Sequence, residues 1–174
     1  KAWIDQSTSP SQLAWGSLGQ QCEQLELYGD ATDAYGKALH VDPTQHLIRC
    51  RRAKLLLRQN RDGQALAEIY KLFEMTSEKE VPTNALHVAA HLLDRLEKHN
   101  NIDESARLLS LMGGNVSQSP ALLGHAARIN ALAGKSKEAR QQLNKARKLD
   151  PNLAIYSRVE KVLSRSGDGG WRKW

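Results

Sequence analysis

The sequence predicts an all-α chain: a right-handed α-solenoid of about four stacked helix-turn-helix repeats, closed by a C-terminal capping helix. Three observations lead there. Leu and Ala recur at helical spacing while aromatic residues make up only 5% of the 174 residues, a composition suited to helices that pack closely through small side chains. Sustained alternation of apolar and polar residues is missing, so strand signals are weak. A pattern of small and apolar residues recurs at an interval of about 34, and a two-helix unit of that length cannot bury its apolar stripe without stacking on its neighbours.

The first unit is the best preserved. Trp15, Leu18 and Gly19, then Ala31, Tyr35, Ala38 and Pro43, follow the spacing W-x2-L-G, A-x3-F/Y and P. This stretch resembles a tetratricopeptide repeat (TPR), with Cys22 where the family pattern has Tyr. A first helix is expected over 12–27 and a second over 30–40, with Asp30 as its N-cap. Asp42-Pro43 stops the second, because Pro forces the preceding residue out of the helical region. Stepping forward by 34 takes Gly29, Ala31, Tyr35 and Ala38 to Gly63, Ala65, Ile69 and Leu72. Trp15 and Leu18 map onto Arg49 and Arg52, so the first helix of the second repeat is expected to be displaced or partly rotated.

A further repeat reads backwards from the C-terminus through Leu123, Ala127, Gly134, Ala139, Leu143, Ala146 and Pro151. The distance from Pro43 to Pro151 leaves six residues beyond three periods, placed in the segment from Thr76 to Thr83. A third repeat then begins with a helix over 84–99, capped by Thr83 or Asn84, and turns at Asn100-Asn101. The expected repeats are 12–45, 46–79, 86–119 and 120–153, followed by a capping helix over 153–165. That helix shows Tyr156, Val159, Val162 and Leu163 on one side and Arg158, Glu160, Lys161 and Arg165 on the other. Residues 1–11 form an N-terminal extension and 166–174 a tail. The chain opens on Lys1 with no signal-like apolar stretch and is read as a piece of something longer.

What the resemblance implies about function is a non-catalytic scaffold or adaptor. Its concave groove, lined by the first helix of each repeat, would hold a peptide or helix of another protein. The family's groove positions fall on Leu13, Gly16, Gln20 and Gln24, then on Cys50, Arg51, Lys54 and Arg58. Further on they fall on His87, Ala90, His91 and Asp94, and on Ala121, Gly124 and Arg128. The family's two-carboxylate clamp for chaperone tails would need Lys, Asn, Asn, Lys and Arg at Gly16, Gln20, Arg51, His87 and His91, and is not matched. Gly16 and Gly124 leave room for a ligand or for closer packing.

Arg49, Arg51, Arg52, Lys54, Arg58 and Arg61 crowd one helix and its turn, and their mutual repulsion calls for acidic groups nearby. Glu23, Glu26, Asp62 or Asp94 are the internal candidates; otherwise Arg51, Lys54 and Arg58 await the carboxylates of a partner. The formal charge of +6 and pI near 9.4 favour an acidic partner and keep a nucleic-acid-binding basic solenoid as the alternative. Self-association through Trp3, Trp171 or Trp174 is another.

Enzyme chemistry is not expected. His87 and His91 lie one turn apart, but a metal would need a third ligand from Asp94, His125 or Cys50, and the HExxH pattern is absent. Gly134-Lys135-Ser136 is a repeat turn without the phosphate-loop spacing. No cofactor or metal is therefore expected. Cys22 and Cys50 are too few for a disulfide framework and are read as free buried thiols. No apolar run reaches membrane-spanning length. The compartment is not legible, the cytoplasm being only slightly favoured over the periplasm.

Overall fold

The computed structural model describes residues 12–77 and 81–165. Among these residues the chain is helical throughout and forms no strand. The expectations for residues 1–11, for the tail with Trp171 and Trp174, for Trp3 and for the side chain of Leu13 lie outside the described residues. Two compact units divide the chain, one ending at Leu92 and the other beginning at Leu93.

In the first unit α1 (Gln12–Gln24) packs on α2 (Tyr28–Val41), α2 on α3 (His46–Arg58), and α3 on α4 (Asp62–Met75). The division falls inside α5 (Thr83–Lys98). The second unit holds the end of α5, α6 (Ile102–Met112), a 3₁₀ segment over Gly113–Gln118, α7 (Pro120–Leu132), α8 (Ser136–Leu149) and α9 (Ile155–Arg165). Here α7 packs on α8 and on α9.

Each helix pair turns by the same device. A single residue takes a left-handed conformation after the first helix: Glu26, Asn60, Asn100 and Gly134, with φ of 57°, 58°, 57° and 76°. The amide of the next residue then donates to a carbonyl five residues back: Leu27 to Cys22, Arg61 to Leu56, Asn101 to Leu96 and Lys135 to Asn130, at 2.8–2.9 Å. This is the Schellman closure, which satisfies carbonyls that the helix end would otherwise leave open. The left-handed residues stand at intervals of 34, 40 and 34, so the backbone itself repeats at the period read from the side chains, with six extra residues once.

Those six residues divide between two places. The link from α4 to α5 spans 76–82 where the link from α2 to α3 spans 42–45, and α5 runs 16 residues where α1, α3 and α7 run 13. Half of the insertion is therefore loop and half an added helical turn. That added turn takes Thr83 and Asn84 inside α5 rather than leaving them as caps.

Two other expectations are corrected. Asp30 is not the N-cap of α2. The chain leaves its turn at Leu27, which makes no side-chain cap bond, and Asp30 falls in the first helical turn, where a carboxylate meets the positive end of the helix. Nor is α3 displaced: it ends 34 residues after α1 does, and α4 repeats α2 with both bounds shifted by 34. Arg49 stays at the buried position of Trp15, with 4% exposure.

Small residues set the close approaches. A Cβ on Gly19 would stand 2.5 Å from the Tyr35 ring, which is why the large ring of α2 can lie flat on α1. Ala31, Tyr35 and Ala38 are fully buried there, as are Ala139 and Ala146 in α8. Helix α9 buries one apolar face in the same register. Its Ile155, Tyr156, Val159 and Leu163 join the core made with Leu123, Ala127, Leu143 and Ala146. Lys161 stands one period beyond Ala127, at the position where Gly19 receives Tyr35, and it is exposed. A lysine there would put charge into a contact with a second helix, so α9 has one buried face and one wet one.

Candidate partner-binding face

The crowded cations of α3 separate into two sets. Arg49 reaches Glu68 of α4 at 2.6 Å and donates to the Pro43 carbonyl at 2.7 Å. Arg52 donates to the other Glu68 oxygen and to the Thr32 carbonyl of α2. Glu68 is 6% exposed, and its two oxygens are shared between the two guanidinium groups. The triad pins α3 to α4 and α2, and it gives two of the cations one shared carboxylate inside the unit. Its carboxylate is not among the four candidates read from the sequence.

The second set faces outward. Arg51 lies 4.0 Å from Glu23 of α1 and donates weakly, at 3.4 Å, to the Tyr35 hydroxyl, which donates to Glu23 at 2.8 Å. Burial raises the Tyr35 pKa above the ordinary tyrosine range, with Arg51 pulling it down and Glu23 pushing it up. Lys54 and Arg58 are exposed, and among the described residues neither has a carboxylate at ion-pair distance. Arg58 sits over the Tyr28 ring, 5.3 Å from its centre, which holds the guanidinium in place without cancelling its charge. Arg51, Lys54 and Arg58 follow one another at i, i+3 and i+7, so they share one side of α3 over about 10 Å.

Helix α1 borders this row. The side chain of Ile48 fills the space beside Gly16, 3.1 Å from where a Cβ would be, and Arg51 meets Glu23. Gln20 and Gln24 are exposed on α1, and His87 and His91 are exposed on the part of α5 within the same unit. Cys50 is the exception among the expected contact residues. It is 2% exposed, burial pushes its thiol up to about 11, and it is core rather than contact surface. Gly16 and Gly124 likewise serve packing: Ile155 closes on Gly124 at 2.5 Å from a would-be Cβ, so neither leaves room for a ligand. Cys22 and Cys50 are free thiols, Cys22 half-buried. Among the described residues no three His, Cys, Asp or Glu side chains converge on a point that could hold a metal ion.

In the second unit the expected groove residues are engaged internally. Asp94 takes Lys98 at 2.8 Å and Arg158 of α9. Burial works to raise the Asp94 carboxyl, yet the bonds from Lys98 and Arg158 outweigh it and hold the group below the usual carboxylate range. Arg128 lies 2.9 Å from Glu97, whose other oxygen meets His125 Nδ1 at 2.8 Å. The Glu97 side chain is 1% exposed, so this cluster fastens α5, α7 and α9 to one another. Ala121, the remaining expected contact of α7, is half-buried.

Glu68 and Glu97 are the residues that the sequence reading missed. The signal was present: one period away, Glu68 corresponds to Ala34, and Glu97 to Leu57 and Ala131, all of them buried. A charge at a position that is apolar in its sister repeats announces an internal ion pair. No family model matches the chain, and no curated protein matches it. No described helix is long and apolar enough to cross a membrane.

Proposed function

We propose that the chain is a tetratricopeptide-type α-solenoid acting as a non-catalytic scaffold within a larger protein or assembly. It holds an acidic peptide or helix of another protein on the side of α3 that presents Arg51, Lys54 and Arg58. The observation that supports this most is the division of charge on α3. Arg49 and Arg52 have a carboxylate built in, whereas Lys54 and Arg58 have none among the described residues. Uncompensated like charges one turn apart cost helix stability, a cost that a bound anion removes. Gln20 and Gln24 supply polar donors and acceptors on α1, which borders the row, and His87 and His91 are exposed on α5 of the same unit. The intervals of 34, 40 and 34 between identical turns support the repeat assignment.

The test is a titration of the protein with a fluorescent peptide rich in Asp and Glu, beside the same peptide with Asn and Gln. The acidic peptide is expected to bind at roughly micromolar Kd, as for a short captured segment. The Lys54→Glu, Arg58→Glu variant is expected to lose that binding while keeping its helical circular dichroism. Equal binding of both peptides, or an unaffected variant, would overturn the proposal.

A further inference from the structure

The net charge of the protein is not spread evenly. Residues 1–92 carry 10 Lys and Arg against 11 Asp and Glu, whereas residues 93–174 carry 15 against 8, so the whole excess belongs to the second unit. The half-buried cations Arg128 and Arg158 of that unit are answered by Glu97 and Asp94. Of the unit's exposed cations without a carboxylate among the described residues, Lys135 precedes α8, Lys161 and Arg165 lie on α9, and three lie on α8. Lys137, Lys145 and Lys148 are exposed there, and among the described residues none has a carboxylate at ion-pair distance. Ala139, Leu143 and Ala146 mark the buried side of the helix. Lys137, Gln141, Asn144 and Lys148 therefore run along its outer side, over about 16 Å.

Beside this stripe the surface opens into a cleft of about 400 Å³ between α8 and α9. It is lined by Leu143 and Leu163, both largely buried, and by Arg140, Asn144, Arg147, Glu160 and Ser164. Arg147 lies over the Tyr156 ring and pairs with Glu160 at 2.6 Å, but both side chains of that pair are about half exposed. An exposed pair of this kind contributes little to stability and exchanges readily for another anion.

We propose that α8 and this cleft form a second binding site, for single-stranded nucleic acid. The phosphates follow Lys137, Lys145 and Lys148, with Arg147 exchanging Glu160 for phosphate. A base enters the cleft, lies on Leu143 and Leu163, and meets the amide of Asn144 at its edge. The chemistry selects a single strand because only there can a base leave its stack and turn into a cleft, whereas a duplex offers phosphates alone. The stripe is made of donors, as a phosphate backbone requires.

The test uses the full chain and a fluorescein-labelled oligouridylate of about 15 nucleotides, a length within known single-strand site sizes. Anisotropy is followed from about 50 to 200 mM salt. Binding is expected to weaken with salt. The variant Lys137→Glu, Lys145→Glu, Lys148→Glu should lower the slope of log K against log salt by about 2, as three lost contacts to a single strand predict. The variant Arg51→Glu, Lys54→Glu, Arg58→Glu should bind the oligonucleotide as the unaltered protein does. A chain of abasic phosphodiesters of equal length should bind more weakly. No binding at the lowest salt, or equal loss in both variants, would overturn the site. Equal affinity for the abasic chain would overturn the base seat, and preference for phosphatidylserine vesicles would overturn nucleic acid as the ligand.

Discussion

At the scale of single residues, the most informative substitution within the chain is one that the chain has made itself. The first repeat holds Trp15, Leu18 and Ala34 where the second holds Arg49, Arg52 and Glu68, and Trp15 and Ala34 share one apolar cluster. A buried ion triad and an apolar packing are thus two solutions to one site. Desolvating three charges takes back much of what their attraction supplies, so the apolar solution is expected to be at least as stable. Glu68→Ala alone leaves Arg49 buried at 4% exposure with only the Pro43 carbonyl. It should therefore cost about 3–5 kcal/mol in urea unfolding. The triple change Arg49→Trp, Arg52→Leu, Glu68→Ala should recover that loss, ending from neutral to about 4 kcal/mol more stable than the parent. A triple variant as unstable as Glu68→Ala would show that the two repeats do not share this geometry. The same residues mark where sequence reading stops. Periodicity gives the place of Arg49, but its partner is fixed only by how α4 lies on α3, and nearby acidic residues such as Asp62 were closer in sequence than Glu68.

At the scale of the element, helix bounds were legible because one period governs them, and α4 reproduces α2 with both ends shifted by 34. Caps were less legible, since a side-chain cap such as Asp30 competes with a backbone closure that places the helix start two residues earlier. That closure requires φ near +57°, which costs an L-residue about 1 kcal/mol relative to glycine. Three of the four turns accept the cost, at Glu26, Asn60 and Asn100, and only the fourth has glycine, at Gly134. Glu26→Gly is accordingly expected to stabilise by up to about 1 kcal/mol and Gly134→Ala to destabilise by a similar amount. Glycines inside helices behave otherwise. Gly19→Ala drives a methyl to 2.5 Å from the Tyr35 ring and should cost about 1–3 kcal/mol, while Gly63→Ala meets nothing within 4 Å and should be neutral or stabilising. Thermal melts of the four variants check the order, and a stabilising Gly19→Ala would contradict the packing of α1 on α2.

At the scale of the whole molecule, two compact units share one continuous helix, since the division at Leu92 and Leu93 falls in the middle of α5. In chains built of successive helix pairs, stability sums from local terms and neighbouring contacts, so damage stays near its origin. Here the buried charges follow that division: the Glu68 triad lies wholly in the first unit and the Glu97 cluster wholly in the second. Hydrogen exchange on the full chain can therefore separate them. Glu68→Ala should speed exchange of the amides in α2, α3 and α4 while α7, α8 and α9 keep most of their protection. Glu97→Ala, which strands Arg128 and His125, should do the reverse. Substantial and equal loss of protection in all of these helices, from either substitution, would mean that α5 couples the two units into a single cooperative fold. The proposed acidic-peptide site on α3 and the proposed nucleic-acid site on α8 would then be expected to respond to each other's ligands.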